Sequence, residues 1–357
     1  MCMSLTVAIE KQLKDMVLNV SFGTDSPDGI TGILGASGCG KSMTLKCIAG
    51  IETPDRGRIV LNGRVLFDSE KKINVRVQER RVGYLFQDYA LFPDMTVEQN
   101  IITAIHYSNL SKGQKLPKEE EEKRAESYMR LVHIEDIKNS YPGKLSVGQQ
   151  QRAALARILA SEPEVLMLDE PFSALDTFLR ERLQLELLEL LGGYDKDILM
   201  VTHSRDEIYR FCSNMLILEN GVQTGYGRTV DIFRNPGTVA AARLTGCKNI
   251  VPVQVKDAHH MFLPRWDAHL AVKGDIPEGT THIGIRAHDL RRPEHAGAEN
   301  LVACRNGRIL DDPFELVVVF EGDIWWKVSK EIWEKEYQKT LPAQLFLPED
   351  SILYLRG

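Results

Sequence analysis

One stretch of eight residues has the composition and spacing needed to hold phosphate groups. It reads GASGCGKS and fits the pattern GxxxxGK[ST]. Glycines let backbone N–H groups turn inward around phosphates, and the N-terminus of a following helix adds partial positive charge. We expect Lys41 to reach the β- and γ-phosphates of a nucleotide and Ser42 to bind Mg²⁺. A glycine-rich turn with a surface lysine is the alternative. The eight residues are Gly35, Ala36, Ser37, Gly38, Cys39, Gly40, Lys41 and Ser42.

A pair of acidic residues, Asp169 and Glu170, ends the apolar run VLMLDE. A carboxylate at the carboxyl end of a buried strand emerges beside the phosphate site at the edge of the sheet. Asp169 is predicted to hold Mg²⁺, and Glu170 to orient or deprotonate an attacking water. Such a pair is by itself more often a helix cap or a solvated loop, so this interpretation depends on the other motifs.

The elements that must position these residues alternate between strand and helix patterns. Apolar runs at 30–36, 165–170 and 197–203 predict buried strands, and an amphipathic stretch separates the last two. This alternation predicts an α/β fold with a parallel sheet. Residues 88–162 have a helical pattern and are predicted to be a helical insertion, in which the charged run 118–126 forms a solvated helix face.

Two further patterns concern β structure. The stretch 57–67 carries an Asn-Gly pair between two β-rich runs, which predicts a hairpin. Beyond about residue 237, short β-prone runs alternate with Pro, Gly and His, a pattern typical of a small β-barrel. We therefore predict two domains, at 1–236 and 237–357.

The segment LSVGQ at 145–149 resembles the signature motif LSGGQ of the ABC transporter ATPase family, with Val147 where the family usually has glycine. The resemblance implies a P-loop ABC ATPase domain with a helical insertion and a requirement for ATP and Mg²⁺. It also implies that Ser146, Gly148 and Gln149 bind ATP held by the other subunit of a homodimer. An ordinary helix N-cap followed by polar residues is the alternative for this segment alone.

Three more positions match the family in order and spacing. Gln87, in LFQDYALFP, matches the glutamine that contacts Mg²⁺ and water and that lies on the loop facing the membrane subunits. Asp176, in SALD, matches the loop that crosses the dimer interface. His203, at the end of LMVTH, matches the histidine that contacts the γ-phosphate, so the resemblance makes it catalytic together with Glu170.

One feature common in the family is missing upstream of the phosphate loop, where an aromatic residue often stacks on adenine. The corresponding stretch 11–17 reads KQLKDMV. Met16 or Leu13 would have to cover the base, because a thioether can pack against an aromatic ring. The alternative is that Met16 belongs to the core.

The chain resembles the importer subclass of the family, in which ATPase and channel are separate polypeptides. No apolar run reaches the roughly 18 to 20 residues that span a bilayer. The resemblance implies a homodimer at the cytoplasmic face of the cell membrane, bound to two integral membrane permease subunits. An extracytoplasmic solute-binding protein would act with them indirectly.

The resemblance extends to the second domain. TGCKNIVPVQV and IGIRAHDLR resemble the TOBE/Mop-like β-barrel of importer ATPases, which implies a regulatory or dimerisation domain. TGCKNI together with NVRVQERRVGYLFQDYALFP is most like the molybdate branch, and sulfate, thiosulfate and tungstate remain alternative solutes. In related proteins this barrel can bind the oxyanion. Here Arg286, His288, Arg291 and Arg292 form either such an anion site or a solvated basic edge.

Composition argues against several other classes of function. The net charge of −6 disfavours nucleic acid as a partner. Six scattered cysteines without a CxxC pair indicate reduced cytosolic thiols, and the charged N-terminus argues against secretion. Three alternatives remain: a soluble ABC ATPase of DNA repair or translation, a P-loop kinase or GTPase, and a non-catalytic nucleotide-binding regulator. The kinase or GTPase leaves the signature segment unexplained.

Overall fold

The structure is a computed structural model that describes residues 5–24, 29–111, 113–173, 177–293 and 299–357. The chain divides into two compact units, Met1–Thr229 and Val230–Gly357. The sequence pattern placed the boundary later, after residue 236. Residues 230–236 belong with the second unit, where Arg286 Nη2 donates to the carbonyl of Phe233 at 2.5 Å.

The first unit contains one large sheet and the helices around it. Its strands are β1 (Leu5–Gln12), β2 (Val17–Gly23), β3 (Ile30–Gly35), β4 (Arg56–Leu61), β5 (Arg64–Asp68), β6 (Ile73–Asn74), β7 (Val82–Leu85), β8 (Val165–Asp169), β9 (Asp197–Thr202), β10 (Cys212–Glu219) and β11 (Val222–Arg228). Its α-helices are α1 (Lys41–Ala49), α2 (Val97–Ser111), α3 (Lys118–Leu131), α4 (Val147–Ala160), α5 (Thr177–Gly192) and α6 (Arg205–Phe211).

The order of the strands decides where the predicted site residues lie. The sheet runs β6-β5-β4-β1-β2-β11-β10-β3-β9-β8-β7, and all neighbours from β10 to β7 are parallel. Every residue of β3, β8 and β9 is buried, as is typical of parallel strands covered on both faces. Parallel strands end at the same edge, so the segments that follow β3, β9, β8 and β7 lie side by side.

The other side of the sheet is antiparallel. β1 pairs with β2 and β4, and β4 pairs with β5 through the turn that the Asn-Gly pair predicts. Asn62 and Gly63 have φ of 51° and 77°. Positive φ at both central residues matches the right-handed twist of the strands in a two-residue hairpin.

The helical insertion consists of α2, α3 and α4. Its apolar core includes Ile101 of α2, Met129 of α3 and Ala153 of α4. The charged side chains of the run that begins α3 are exposed or half-buried apart from that of Glu121, which is buried. Its Oε1 lies 2.8 Å from Nδ1 of His106 on α2. One residue of the predicted solvated face therefore links two helices instead.

Arg80, which precedes β7 in the chain, is completely buried. Its side chain lies against the carboxyl end of α1. Its Nη1 donates to the carbonyls of Cys47 and Ile48 at 2.9 and 2.7 Å. Its Nε and Nη2 donate to Val75 O and Asn74 Oδ1 at 2.9 and 2.8 Å. A guanidinium at this end also complements the helix dipole. Arg80 thus joins the helix of the phosphate loop to the strand that leads to Gln87.

Replacing Arg80 with Met is expected to lower the free energy of unfolding by about 3 kcal/mol or more, because buried carbonyls lose their donors. Chemical denaturation followed by circular dichroism measures the change. Arg58→Met is the control, because the Arg58 side chain is 54% exposed and only borders Asp68 at 3.6 Å. Equal stability of the two variants would contradict the role assigned to Arg80.

The second unit is built of short elements. Its strands are β12 (Asn249–Pro252), β13 (Gln254–Val255), β14 (His260–Leu263), β15 (Ala268–Ala271), β16 (His282–Ile285), β17 (Leu301–Ala303), β18 (Arg308–Asp311), β19 (Glu315–Phe320), β20 (Ile324–Ser329), β21 (Gln344–Phe346) and β22 (Leu353–Leu355). Its helices are α7 (Thr229–Arg234), which starts at the boundary, α8 (Val239–Leu244) and α9 (Lys330–Lys335).

These strands do not form the closed barrel that the sequence predicts. Within 230–293 and 299–357 they pair as four small sheets: β12-β16-β22, β13-β14-β15, β17-β21 and β18-β19-β20. The sheets share one apolar core, with Ile283, Trp326 and Leu345 among its members. Closure of a barrel requires hydrogen bonds between all neighbouring strands, and strands this short leave the sheets separate. No helix in the described ranges combines the length and apolarity of a membrane span.

Candidate functional site

The loop between β3 and α1 requires glycine at two positions. Gly38 and Gly40 have φ of 80° and 106°, which residues with a side chain rarely adopt. A Cβ on Gly40 would lie 2.9 Å from Leu18 Cδ1, whereas a Cβ on Gly38 would meet no atom within 4 Å. Ala36, Ser37 and Gly38 are exposed. The loop therefore borders open space in which a ligand can contact its backbone N–H groups.

Lys41, the first residue of α1, turns its side chain back into this loop. Its Nζ donates to the carbonyls of Gly35 and Ala36, both at 2.9 Å, and the residue is buried. The side chain of Cys39, in the same loop, is buried, and burial raises the pKa of its thiol. An ammonium group held beside a glycine-rich loop and a helix N-terminus favours an anionic ligand.

Ser42 and Asp169 meet between α1 and the end of β8. Ser42 Oγ donates to Asp169 Oδ1 at 2.7 Å. The other carboxylate oxygen, Oδ2, accepts from the hydroxyl of Tyr84 on β7, also at 2.7 Å. Burial and the nearby Asp169 both raise the pKa of Tyr84, so its hydroxyl stays a donor.

Sequence reasoning missed Tyr84. A tyrosine among the apolar residues of a strand is typical of a core position, and its neighbour Phe86 packs against it at 4.5 Å between ring centroids. Only the parallel pairing of β7 with β8 brings its hydroxyl to Asp169. The one available signal was its place in the same short strand that leads to Gln87.

Glu170 and His203 face each other after β8 and β9. Glu170 Oε2 lies 3.6 Å from His203 Nδ1, and the His203 side chain is 58% exposed. Glu170 has a left-handed φ of 48°, and its N–H donates to Val201 O at 2.9 Å. Such a backbone costs roughly 1 kcal/mol or more in a residue with a side chain. The structure thus holds a carboxylate and an imidazole side by side at the open edge of the sheet.

Gln87 follows β7 and contacts the segment after Glu170. Its Nε2 donates to Ser173 Oγ at 3.2 Å, and Ser173 Oγ donates to Glu170 O at 3.0 Å. The side chain predicted to contact Mg²⁺ therefore lies at the same edge of the sheet as the acidic pair. Asp176 lies outside the described residues.

The signature segment forms the N-terminus of α4. Ser146 Oγ accepts from Gln149 N at 3.4 Å, and Gln149 Oε1 accepts from Ser146 N at 2.9 Å, which is a capping box. Val147 is an ordinary helical residue, so a side chain fits where the family has glycine, and Gly148 is buried. No hydrogen bond of the described residues joins this segment to the loop at 35–42.

The two residues expected to cover adenine differ in position. The Met16 methyl group lies 3.6 Å from where a Cβ on Gly40 would be, so Met16 borders the phosphate loop. Leu13 packs against the core of the first unit.

Two of the basic residues considered for an anion site in the second unit donate to backbone carbonyls. Arg286 donates to the carbonyls of Thr245 and Phe233 at 2.7 and 2.5 Å. Arg292 donates to Glu336 O at 2.9 Å. Two of the four residues considered for an anion site thus hold backbone carbonyls of this unit, which favours the alternative of a basic edge.

Comparisons with known proteins agree with this arrangement. A protein-family model described as ABC transporter matches residues 18–173. The spermidine/putrescine import ATP-binding protein PotA of Oleidesulfovibrio alaskensis is 38% identical over 264 residues, which cover 73% of this chain and 67% of the relative. PotA of Bacillus thuringiensis is 38% identical over 68% of this chain and 71% of its own length. The sulfate/thiosulfate import ATP-binding protein CysA of Synechocystis is 35% identical over 68% of this chain and 66% of its own length.

Solved structures give the same result. CbiO1 from Clostridium perfringens, described as part of the ABC transporter complex cbiONQ, superposes with a TM-score of 0.54 at 28% identity and covers 64% of this chain and 90% of its own. The ATP-binding cassette MJ0796, solved as a dimer bound to ADP and Pi, superposes with a TM-score of 0.51 at 25% identity and covers 63% and 98%. Fold, motifs and relatives agree: the chain belongs to the family of ABC transporter ATP-binding proteins.

Proposed function

We propose that this chain hydrolyses ATP as the energy-supplying subunit of an ABC importer at the cytoplasmic face of the membrane. The observation that carries the proposal is the meeting of the loop at 35–42, Asp169 and the Glu170–His203 pair at one edge of the sheet. The relatives named as import ATP-binding proteins support the transport part.

The donor groups of the site fit a complex of ATP with Mg²⁺. The Ser42 hydroxyl and the Asp169 carboxylate are 2.7 Å apart, and such hard oxygen donors are those that Mg²⁺ prefers. Gln87 would add an amide oxygen. Lys41 and the N–H groups of the loop would hold the phosphates. Bound there, the cation would neutralise negative charge on the phosphates.

The remaining chemistry falls to two side chains. Glu170 would orient the attacking water and accept its proton, because its carboxylate adjoins the phosphate site without being taken up by Ser42. His203, next to it and more exposed, would contact the γ-phosphate. Its position beside Glu170 would keep both groups on the same side of the bound nucleotide.

Replacing Tyr84 with Phe tests how the cation site is held. Loss of the hydroxyl leaves Asp169 Oδ2 without its donor, so the Mg²⁺ concentration for half-maximal ATP hydrolysis should rise about tenfold. Titration of activity with MgCl₂ measures it. Tyr194→Phe is the matched control, because its hydroxyl donates to Pro163 O at 3.2 Å. An unchanged Mg²⁺ requirement in Tyr84→Phe would contradict the role.

A second copy of the chain would complete each site. Ser146, Gly148 and Gln149 lie at a helix N-terminus, which suits a phosphate. Their hydrogen bonds in the described chain do not reach its own loop. The MJ0796 cassette, described as dimeric with ADP and Pi, supports a composite site of this kind. We therefore assign these residues to ATP held by the other subunit.

The ATPase part of the proposal is tested with purified protein over a range of concentrations. Specific activity should rise with protein concentration and level off as dimers form, and Ser146→Ala should lower the plateau. A rate per subunit that stays constant in a strict monomer, and that Ser146→Ala leaves unchanged, would refute the composite site.

For transport, we propose that the chain binds two integral membrane permease subunits and acts indirectly with an extracytoplasmic solute-binding protein. Residues around Gln87 supply the surface, where Phe92 is exposed and Arg157 covers its ring at 5.1 Å. Co-expression with the permeases encoded nearest the gene and purification from detergent-solubilised membranes tests it. Recovery of the chain only from the soluble fraction, with ATPase activity intact, would instead favour a soluble ABC ATPase.

The most specific part of the proposal is the identity of the transported solute. Molybdate rests on the sequence resemblance alone, whereas the relatives reported above are named for spermidine/putrescine and for sulfate/thiosulfate. An oxyanion and a polyamine differ in sign of charge, so uptake by vesicles that carry the assembled transporter separates them. Uptake of labelled molybdate, sulfate and spermidine is compared. Uptake of spermidine alone would contradict the oxyanion assignment.

We also propose that the first unit is the nucleotide-binding domain and the second a regulatory or dimerisation domain. The support is that every residue of the site lies before residue 230 and that the second unit has an apolar core of its own.

A further inference from the structure

The residues on either side of His203 both contact Glu207. Thr202 Oγ1 donates to Glu207 Oε2 at 2.5 Å and accepts from Ser204 N at 3.0 Å. Ser204 Oγ accepts from Glu207 N at 3.3 Å. These three hydrogen bonds form a closed ring, and the one between Thr202 and Ser204 joins the residues on either side of His203.

Thr202 and Glu207 of this ring are buried and Ser204 is half-buried, although the histidine is exposed. Thr202 and Glu207 are 2% and 6% exposed, whereas the His203 side chain is 58% exposed. Hydrogen bonds in such surroundings are stronger than in water, and a buried polar atom without a partner is costly. The backbone at His203 is therefore held firmly, while its imidazole remains exposed and can contact a ligand.

The carboxylate of Glu207 is surrounded by compensating groups. Its Oε1 accepts from Gln184 Nε2 at 3.4 Å. A small cavity beside it is also lined by Glu170, His203 and Arg180. Burial raises the pKa of the Glu207 carboxyl above its usual value, and the Thr202 hydroxyl and the positive charge of Arg180 only partly offset this rise. This buried acid therefore lines the same cavity as Glu170 and His203, and its contacts go beyond those that cap a helix.

Helix capping alone would give a different arrangement. Glu207 is the third residue of α6, where a capping-box glutamate would accept from the backbone N–H of the N-cap residue, Ser204. Here the Thr202 hydroxyl accepts the hydrogen bond from that N–H instead, and it donates a hydrogen bond to Glu207. The carboxylate is thereby hydrogen-bonded to the last residue of β9, which immediately precedes His203.

From this geometry we infer that Glu207, acting through Thr202, is a positioning residue that holds His203 beside Glu170 for ATP hydrolysis. The inference depends on the proposed ATPase function. A displacement of about 1 Å in a catalytic group can cost as much as about 100-fold in rate. Glu207 contacts no part of the loop at 35–42 through the hydrogen bonds of the described residues, so ATP binding itself should not depend on it.

The first experiment compares two substitutions of Thr202 in the full-length protein. Thr202→Ser keeps the hydroxyl and should retain kcat within about twofold of wild type. Thr202→Val keeps the shape but removes the bond to Glu207, so kcat should fall about tenfold or more with KM for ATP nearly unchanged. Equal kcat values for both variants would overturn the proposal.

The second experiment asks whether Glu207 acts through His203. Glu207→Ala and His203→Ala are combined in a double-mutant cycle, with single-turnover hydrolysis of radiolabelled ATP to resolve slow rates. Glu207→Ala should slow hydrolysis about 10- to 100-fold in the wild-type background and less than about twofold when His203 is absent. The same loss in both backgrounds would assign Glu207 a structural role only and overturn the proposal.

Two controls separate this inference from its premises. Glu121→Gln alters another buried acid, in the helical insertion, and should leave ATP hydrolysis by the isolated protein within about twofold of wild type. If the wild-type protein fails to hydrolyse ATP, the proposed function fails. If wild type is active and Thr202→Val equals it in kcat, the positioning role alone fails.

Discussion

Glu170→Gln is expected to lower the rate of ATP hydrolysis by about 100-fold or more, because the amide cannot accept a proton from the attacking water. The substitution keeps the size of the side chain, so binding of ATP by the loop should persist. ATP would then remain intact between two subunits. We therefore expect size-exclusion chromatography with light scattering to show a stable dimer in the presence of ATP and Mg²⁺.

The chain offers a closely matched control for this experiment. Glu164 precedes β8 and Glu170 follows it, and their side chains are 20% and 21% exposed. Glu164 interacts with Arg64 and Arg81 at the other edge of the sheet. Glu164→Gln should leave kcat within about twofold of wild type. An unimpaired Glu170→Gln variant would remove this glutamate from the chemistry, and the site would need another base.

Lys41→Ala is expected to weaken ATP binding by about 100-fold. Lys41 is the one loop side chain with a full positive charge, and hydrogen bonds to charged groups contribute about 1.5–3 kcal/mol each. In the described structure the Lys41 Nζ forms hydrogen bonds only to the carbonyls of Gly35 and Ala36. A charged phosphate can therefore replace these uncharged hydrogen-bond acceptors. Isothermal titration calorimetry with ATP and Mg²⁺ measures the change.

Lys46→Ala serves as the comparison for Lys41→Ala. Lys46 lies in the last turn of the same helix, α1, away from the loop. The Lys46→Ala variant should bind ATP with a Kd within about twofold of wild type, because the charge of Lys46 is distant from the phosphates. Thermal unfolding with and without ATP gives an independent readout, since a ligand that binds the native state raises Tm. A Lys41→Ala variant that ATP still stabilises as strongly as wild type would contradict the phosphate-loop assignment.

Local patterns were sufficient to predict the positions of the candidate-site segments that follow single strands. The loop at 35–42 and the pair Asp169–Glu170 each lie after a continuous apolar run, and a parallel sheet brings such ends to one edge. The Asn-Gly turn at 62–63 was equally predictable, because both residues tolerate positive φ. In each case the decisive physics acts within a few residues of the chain.

The groups that support the site were not predictable in this way. Tyr84 and Asp169 are 85 residues apart, and their hydrogen bond depends on the register of β7 against β8. Glu207 is close to His203 in sequence, yet a polar residue at the start of a helix is typical of solvent exposure, and only packing of α6 on the sheet buries it. Arg80 was overlooked because a surface position is the usual one for arginine.

The second unit shows the limit of pattern reading most clearly. Its short β-prone runs correctly indicated strands, but four sheets around a shared core formed instead of a closed barrel. Strand pairing between distant segments depends on edge hydrogen bonds and packing, which composition does not encode. The same is true of Arg286 and Arg292, which look like anion ligands in sequence and bind backbone carbonyls in the structure.

By itself, the sequence determined the family, and it predicted a phosphate site at 35–42 and a role for the acidic pair, because these depend on residue type and spacing along one stretch of chain. Only the tertiary structure decided which buried side chains support these segments. Tyr84, Arg80 and Glu207 form their hydrogen bonds with residues of other strands and helices. Burial then set the strength of those contacts, because the same hydrogen bond contributes more where water is excluded.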